Sequence, residues 1–191
     1  MPRVAVVHEP PPGLVYEPAF LSGAEQAELV GVLEALEFRA IVMKGQTARR
    51  TARHYGVRYD YEARGPEHDA LEAIDPIPPW LAGLRERCAR LAGRPVDVLV
   101  EALVQRYPPG ATIGWHRDAP MFGVVVGVSL ASACRMRFQR TVAGERSVRE
   151  IVLEPGSAYA LIGQARWSWQ HSIPPTPGLR YSVTFRSLRR P

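Results

Sequence analysis

At 191 residues, with 46% hydrophobic and 23% charged residues, the chain suits one soluble domain around a single core and has no run approaching the roughly 20 apolar residues of a membrane span. Two cysteines, Cys88 and Cys134, exclude a disulfide framework and a Cys-x-x-Cys zinc site, and make a reducing cytoplasm the expected compartment. A net charge of +5, carried almost wholly by arginine, leans toward a polyanionic partner.

In chain order, "MPRVAVVHEPPPG" lacks the apolar centre and small-residue cleavage site of a signal peptide. "SGAE" at 22–25 is a capping box, with Ser22 and Glu25 satisfying each other's end of a helix. Leu29, Leu33 and Leu36 mark its apolar face, and the helix is expected to run to about Glu37. "RRTARHYGVRYDYEA" (49–63) alternates Tyr55, Val57, Tyr59 and Tyr61, which predicts a hairpin with a basic edge. A second helix fits Pro79–Leu91, with Leu81, Leu84, Cys88 and Leu91 on one side, and Gly93 and Pro95 stop it.

From Val96 the texture changes. "VDVLVEALVQRY", "VVVGVSL", "CRMRFQR", "REIVL", "SAYALI", "RWSWQHSI" and "LRYSVTFRSL" read as strands, separated by "PPG", "AGE", "EPG" and "TPG" turns. Helices first and strands afterwards predict an α+β fold with a sandwich or barrel-like β core.

Two of the five histidines stand out in this half. His116 and Asp118 are two residues apart, so on extended backbone both side chains leave the same side. They suit an ordinary loop or two ligands of one metal. His171, 53 residues past Asp118, is the best candidate for a third ligand. Two histidines and a carboxylate leave positions open, as in the facial triad of non-haem Fe(II) oxygenases. In the last strand, Arg180, Ser182, Thr184 and Arg186 share one face, and Tyr181, Val183 and Phe185 the other. The polar face suits a solvated antiparallel strand; turned inward, its two guanidinium groups suit a dicarboxylate held by forked hydrogen bonds.

The stretches "QRYPPGATIGWHRD", "VVGVSLASACRMRFQR", "LEPGSAYALIGQARWSWQHSI" and "GLRYSVTFR" together resemble the AlkB-like Fe(II)- and 2-oxoglutarate-dependent dioxygenases. The resemblance implies a double-stranded β-helix (jelly roll) over residues 96–191, with residues 1–95 as a helical and lid extension packed on it within a single domain. It implies that His116, Asp118 and His171 hold Fe(II), that Arg180 and Arg186 bind 2-oxoglutarate, and that Tyr107 contacts the same cosubstrate. Gln105 and Ser182 stand where asparagine is common in the family, and both retain hydrogen-bonding capacity toward the cosubstrate. O2 is the third reactant.

The reaction so implied is oxidative dealkylation of N-alkylated bases in DNA or RNA, releasing formaldehyde, succinate and CO2. The alternative is oxidation of a protein side chain by the same fold. Residues 49–61 fall where the family carries a nucleotide-recognition lid. There Arg50 and Arg53 suit phosphates, while His54, Tyr55 or Tyr59 suits stacking on a flipped or single-stranded base. Trp167 and Trp169 share a face with His171 if that run is extended, whereas Trp115 is expected in the core and His8 and His68 on the surface. The working expectation is a monomer that does not enter a membrane.

Overall fold

The structure, a computed structural model, describes residues 6–7, 9–43, 45–59 and 71–189. The N-terminal half supplies β1 (Val6–Val7), β2 (Leu14–Glu17), α1 (Gly23–Glu34), β3 (Arg39–Met43), β4 (Gln46–Tyr55), β5 (Val57–Tyr59), β6 (Leu71–Ala73) and α2 (Ala82–Leu91). Then come β7 (Leu99–Tyr107), β8 (Ile113–His116), β9 (Phe122–Leu130), β10 (Cys134–Val142) and β11 (Glu145–Leu153). The chain closes with β12 (Ala158–Leu161), α3 (Gly163–Trp167), β13 (Gln170–Ile173) and β14 (Arg180–Leu188).

Alternation sorts these strands into a major sheet, β2-β12-β9-β14-β7-β4-β3, and a minor sheet, β1-β11-β10-β13-β8. β5 and β6 form a separate hairpin. The strands of the C-terminal half zigzag between the two sheets with antiparallel pairings, which is the jelly-roll arrangement. The β10–β11 hairpin turns on Ala143 and Gly144, both at positive φ, which matches the twist of the flanking strands.

Two apolar layers result. On the outer face of the major sheet, Tyr181, Val183 and Phe185 of β14 pack with Leu33 of α1 and Leu84 and Cys88 of α2. Leu33, Val183 and Phe185 are fully buried, and each such side chain contributes on the order of 2 kcal/mol. Between the sheets, Met136, Phe138, Tyr159, Leu161 and Trp169 form the second layer. The capping box at Ser22 and Glu25 is present in both directions.

Several local expectations change. α1 stops at Glu34 rather than near Glu37, with Ala35 as its C-cap, while Leu36 still packs on the core from the following turn. The segment from Pro79 begins as a 3-10 turn, Pro79–Leu81, before α2, and "VDV" is another 3-10 turn ahead of β7. "RWSWQHSI" is not one strand. The short helix α3 ends at Trp167, so Trp167 is 41% exposed while Trp169 is buried, and the two share no face. Trp115 is half-buried rather than in the core, with Arg137 and Arg146 over its indole. His8, Tyr61 and His68 lie outside the described residues, as does the side chain of Tyr59.

Candidate metal centre and active site

β8 and β13 pair so that His116 lies directly opposite His171. Their ring centroids are 4.3 Å apart. Asp118 follows two residues after His116, just past the end of β8, and is buried. One ligand atom from each of the three residues falls within 4.8 Å of the others. The Nδ1 of His116 is 2.9 Å from the carbonyl oxygen of Gly114, which can only accept, so Nδ1–H donates to it and Nε2 is the ring nitrogen left for a metal.

The carboxylate of Asp118 is held asymmetrically. Oδ1 accepts from Nε of Arg186 at 2.9 Å and lies 2.7 Å from its Nη2. Oδ2 is buried without a hydrogen-bond partner among the described residues and sits 3.5 Å from Nε2 of His171. A buried anionic oxygen left in that condition is costly unless a cation completes it. Burial raises the Asp118 carboxyl, but Arg186, His171 and His116 outweigh it and hold the group well below the usual carboxylate range. Burial also pushes the His171 imidazole down to about 3. At neutral pH Asp118 is therefore a carboxylate and His171 a neutral imidazole, the protonation states that metal ligation needs. The donor set fits Fe(II).

Beyond the carboxylate, Arg186 donates through Nη1 to Glu101 at 2.7 Å, and Glu101 meets Nδ1 of His54 at 3.2 Å. Arg166, buried on α3, donates to the carbonyls of Ala119, Phe122 and Gly123 and thereby shapes the loop that follows Asp118.

A second polar group lies inward on the major sheet. Register places Arg180 opposite Tyr107, and Ser182 between Gln105 and Ser129. Arg180 is 1% exposed, donates from Nε to Ser129 at 3.0 Å and lies over the Tyr107 ring at 4.8 Å. Its Nη1 has no hydrogen-bond partner among the described residues. The Tyr107 hydroxyl donates to Gln105 at 2.9 Å. A buried guanidinium with an unused donor suits an anion.

The structure thus brings together His116, Asp118, His171 and Arg186, and beside them Gln105, Tyr107, Arg180 and Ser182. It divides the lid residues. β4 pairs with β7, and its alternation puts Arg50 and His54 on the metal side, where Arg50 reaches the carbonyl of Thr112 and His54 reaches Glu101. Arg53 and Tyr55 point the other way. Arg53 pairs with Asp75 at 2.6 Å, and Tyr55 is 7% exposed in the helix-side core, edge-on to Trp80. The Tyr55 ring is consequently not presented for base stacking, because the strand's one-residue alternation turns it into the apolar layer.

Sequence reasoning missed Glu101, Ser129, Arg166 and Tyr159. Ser129 and Gly127 alternate on β9, and the Tyr159 ring lies so close over Gly127 that a Cβ there would come within 2.4 Å of it. The small residue opposite an aromatic was the available signal. Also missed was a cleft of about 680 Å³ on the outer face of the minor sheet, lined by Trp115, Arg117, Arg140, Arg146 and Gln170, whose strand neighbours His116 and His171 face inward.

A family model for the 2OG-Fe(II) oxygenase superfamily matches residues 13–186, and the chain belongs to that superfamily. It is a dioxygenase domain of the class that uses Fe(II), 2-oxoglutarate and O2. Within the class it is similar to AlkB-like proteins. The "Alkylated DNA repair protein ALKBH8 homolog" of Arabidopsis thaliana is 27% identical over 184 residues, covering 85% of this chain and 51% of the relative. An uncharacterized protein of Acanthamoeba polyphaga mimivirus is 29% identical over 101 residues, covering 46% of this chain and 48% of the relative. The chain thus spans about half the length of the curated relatives it matches. Among solved structures, OsALKBH1 superposes with a TM-score of 0.65 at 16% identity, covering 94% of this chain and 100% of that one. A prolyl-4-hydroxylase of Pseudomonas putida superposes at 0.59 and 16%, with 94% of each chain covered. These likenesses show a shared jelly-roll fold. No helix among the described residues is long and apolar enough to cross a membrane.

Proposed function

We propose that the chain is an oxidative dealkylase of N-alkylated bases in DNA or RNA, with His116, Asp118 and His171 holding Fe(II). Residues 96–191 form its catalytic core, and the preceding segment serves substrate recognition. The observation that carries this reading is the inner face of β4, whose Arg50 and His54 lie on the metal side, with His54 against the buried Glu101. A guanidinium suits a phosphate and the part-exposed His54 imidazole suits a base face, so these two side chains match a single-stranded or flipped nucleotide.

Arg180 anchors one carboxylate of 2-oxoglutarate through its unused Nη1, while Ser129 and the Tyr107 ring hold its guanidinium in plane. Tyr107, Gln105 and Ser182 line the same pocket and orient the cosubstrate by hydrogen bonds. Arg186 keeps Asp118 ionised and turned so that Oδ2 faces His171. Iron with 2-oxoglutarate and O2 supplies the oxidising chemistry, and the surrounding residues supply binding and orientation. On the substrate side, Arg50 and His54 replace the larger lid set, since Arg53 and Tyr55 face away.

The test is succinate and formaldehyde release from methylated single-stranded DNA, methylated RNA and methylated peptides under one set of conditions. Stimulation by an oligonucleotide is expected. Stimulation by peptide alone overturns the nucleic-acid reading and establishes a protein-directed oxygenase.

A further inference from the structure

Glu101 is fully buried, yet no sequence motif marks it and no step above uses it. It sits on β7 directly opposite Arg186 of β14. Its Oε2 accepts from Arg186 Nη1 at 2.7 Å, and its Oε1 meets His54 Nδ1 at 3.2 Å. Arg186 in turn grips Oδ1 of Asp118 through Nε and Nη2. His54, Glu101, Arg186 and Asp118 therefore form one chain of contacts from the lid strand β4 to the metal ligands.

We propose that Glu101 is a positioning residue for the metal centre: it holds Arg186 against one oxygen of Asp118 so that the other is presented to the metal, and it restores the negative charge that this guanidinium removes. The proposal rests on the assignment of His116, Asp118 and His171 as the metal site.

Two physical arguments support it. The first is electrostatic. Asp118 is the anionic member of the triad, and a guanidinium 2.7 Å from its Oδ1 opposes the approach of a dication. A second buried carboxylate on the far edge of that guanidinium offsets the opposition. The second is geometric. Two carboxylates on separate edges of one planar guanidinium fix its rotation about the side-chain axis, so Oδ1 stays occupied and Oδ2 keeps its 3.5 Å approach to His171. Without Glu101, one of the two carboxylates that fix the Arg186 plane is lost. His54 holds Glu101 from the solvent side, where its own side chain is 29% exposed.

The experiment is a titration of the apo protein with Co(II), read by affinity and by the visible absorption of the bound ion, in wild type, Glu101→Gln, His54→Ala and Asp118→Ala. Apo melting temperatures are measured beside it. Glu101→Gln keeps the size and removes the charge. It is expected to weaken Co(II) binding on the order of tenfold or more, within the range for partners of metal ligands, and to alter the spectrum. His54→Ala is expected to produce a several-fold loss in the same direction. A lowered melting temperature with unchanged affinity and spectrum in Glu101→Gln marks a purely structural role and overturns the proposal. If Glu101→Gln does not fold, wild-type affinity in His54→Ala overturns it. Loss of binding in Asp118→Ala alone leaves the metal site standing without Glu101, whereas retained binding in Asp118→Ala overturns the metal assignment and the proposal with it.

Discussion

β14 and β4 flank the same strand, β7, and both alternate arginines with other residues, yet they behave differently. In β14 every apolar side chain from Tyr181 to Phe185 goes to the helix-side layer, and every polar one from Arg180 to Arg186 goes between the sheets. In β4 arginine appears on both faces. Arg50 faces the metal side, Arg53 the helix side, and the aromatic Tyr55 is buried beside Arg53. Alternation states which residues share a face. It states which way a face points only when one face is apolar throughout, because hydrophobic burial then sets the direction.

The largest effect expected from breaking the β14 side is at the ligand that β14 holds. Asp118→Ala should abolish Fe(II) binding and 2-oxoglutarate turnover, with activity falling at least 100-fold, since the carboxylate is the anion of the triad. Iron content of the purified protein checks it, and normal iron loading would reassign the site.

On β4, Tyr55→Ala should cost about 3 kcal/mol of stability, as for loss of a buried aromatic, and leave affinity for oligonucleotides unchanged in the fraction that stays folded. Denaturant unfolding and binding measured together separate the two roles. A selective loss of binding would return Tyr55 to the substrate surface.

Arg180→Lys should raise the apparent Michaelis constant for 2-oxoglutarate about tenfold, because an ammonium cannot hold Ser129 and a carboxylate in one plane. An unmoved constant would place the anchor elsewhere. Arg50→Gln, on the metal side of β4, should reduce the salt dependence of oligonucleotide binding by about one phosphate contact, whereas Arg53→Gln should not. Equal slopes for the two variants would erase the difference between the faces of β4.

A further effect is in pH. His171 has its folded value pushed down to about 3 from an ordinary 6.5, and Asp118 is also depressed. For both, the unfolded chain binds protons that the native chain does not. The stability tied to His171 is therefore full above its unfolded value of 6.5 and is lost as pH falls toward about 3. Asp118 adds a loss of the same sign at lower pH. Apo protein melting temperatures should decline across that window, and replacing His171 with Asn should flatten the decline.

The strand-rich half, the capping box at Ser22, the buried face of α2 and the two-faced pattern of β14 were legible in the sequence because each follows from local geometry and burial. The same is true of the His116, Asp118 and His171 set, whose residue types and order match an iron-binding pattern. Where local geometry alone was ambiguous, the reading failed. Gly163–Trp167 folds as one helical turn whose Arg166 donates to three loop carbonyls, and those carbonyls come from 43 to 47 residues away. Trp115 was expected inside and instead borders the cleft, because the arginines over it come from β10 and β11.

By itself the sequence determined the chemical inventory: a triad able to hold iron, a buried-looking arginine strand, and a basic segment ahead of the β core. Tertiary structure alone decided how these meet. Glu101 and Arg186 are 85 residues apart, and only the pairing of β7 with β14 puts a carboxylate behind the guanidinium that holds Asp118. The division of Arg50 and His54 from Arg53 and Tyr55 likewise depends on which face of β4 lies over the metal side once β4 pairs with β7. Strand pairing is set by long-range packing, and no local pattern of alternating residues encodes which neighbour a strand will find.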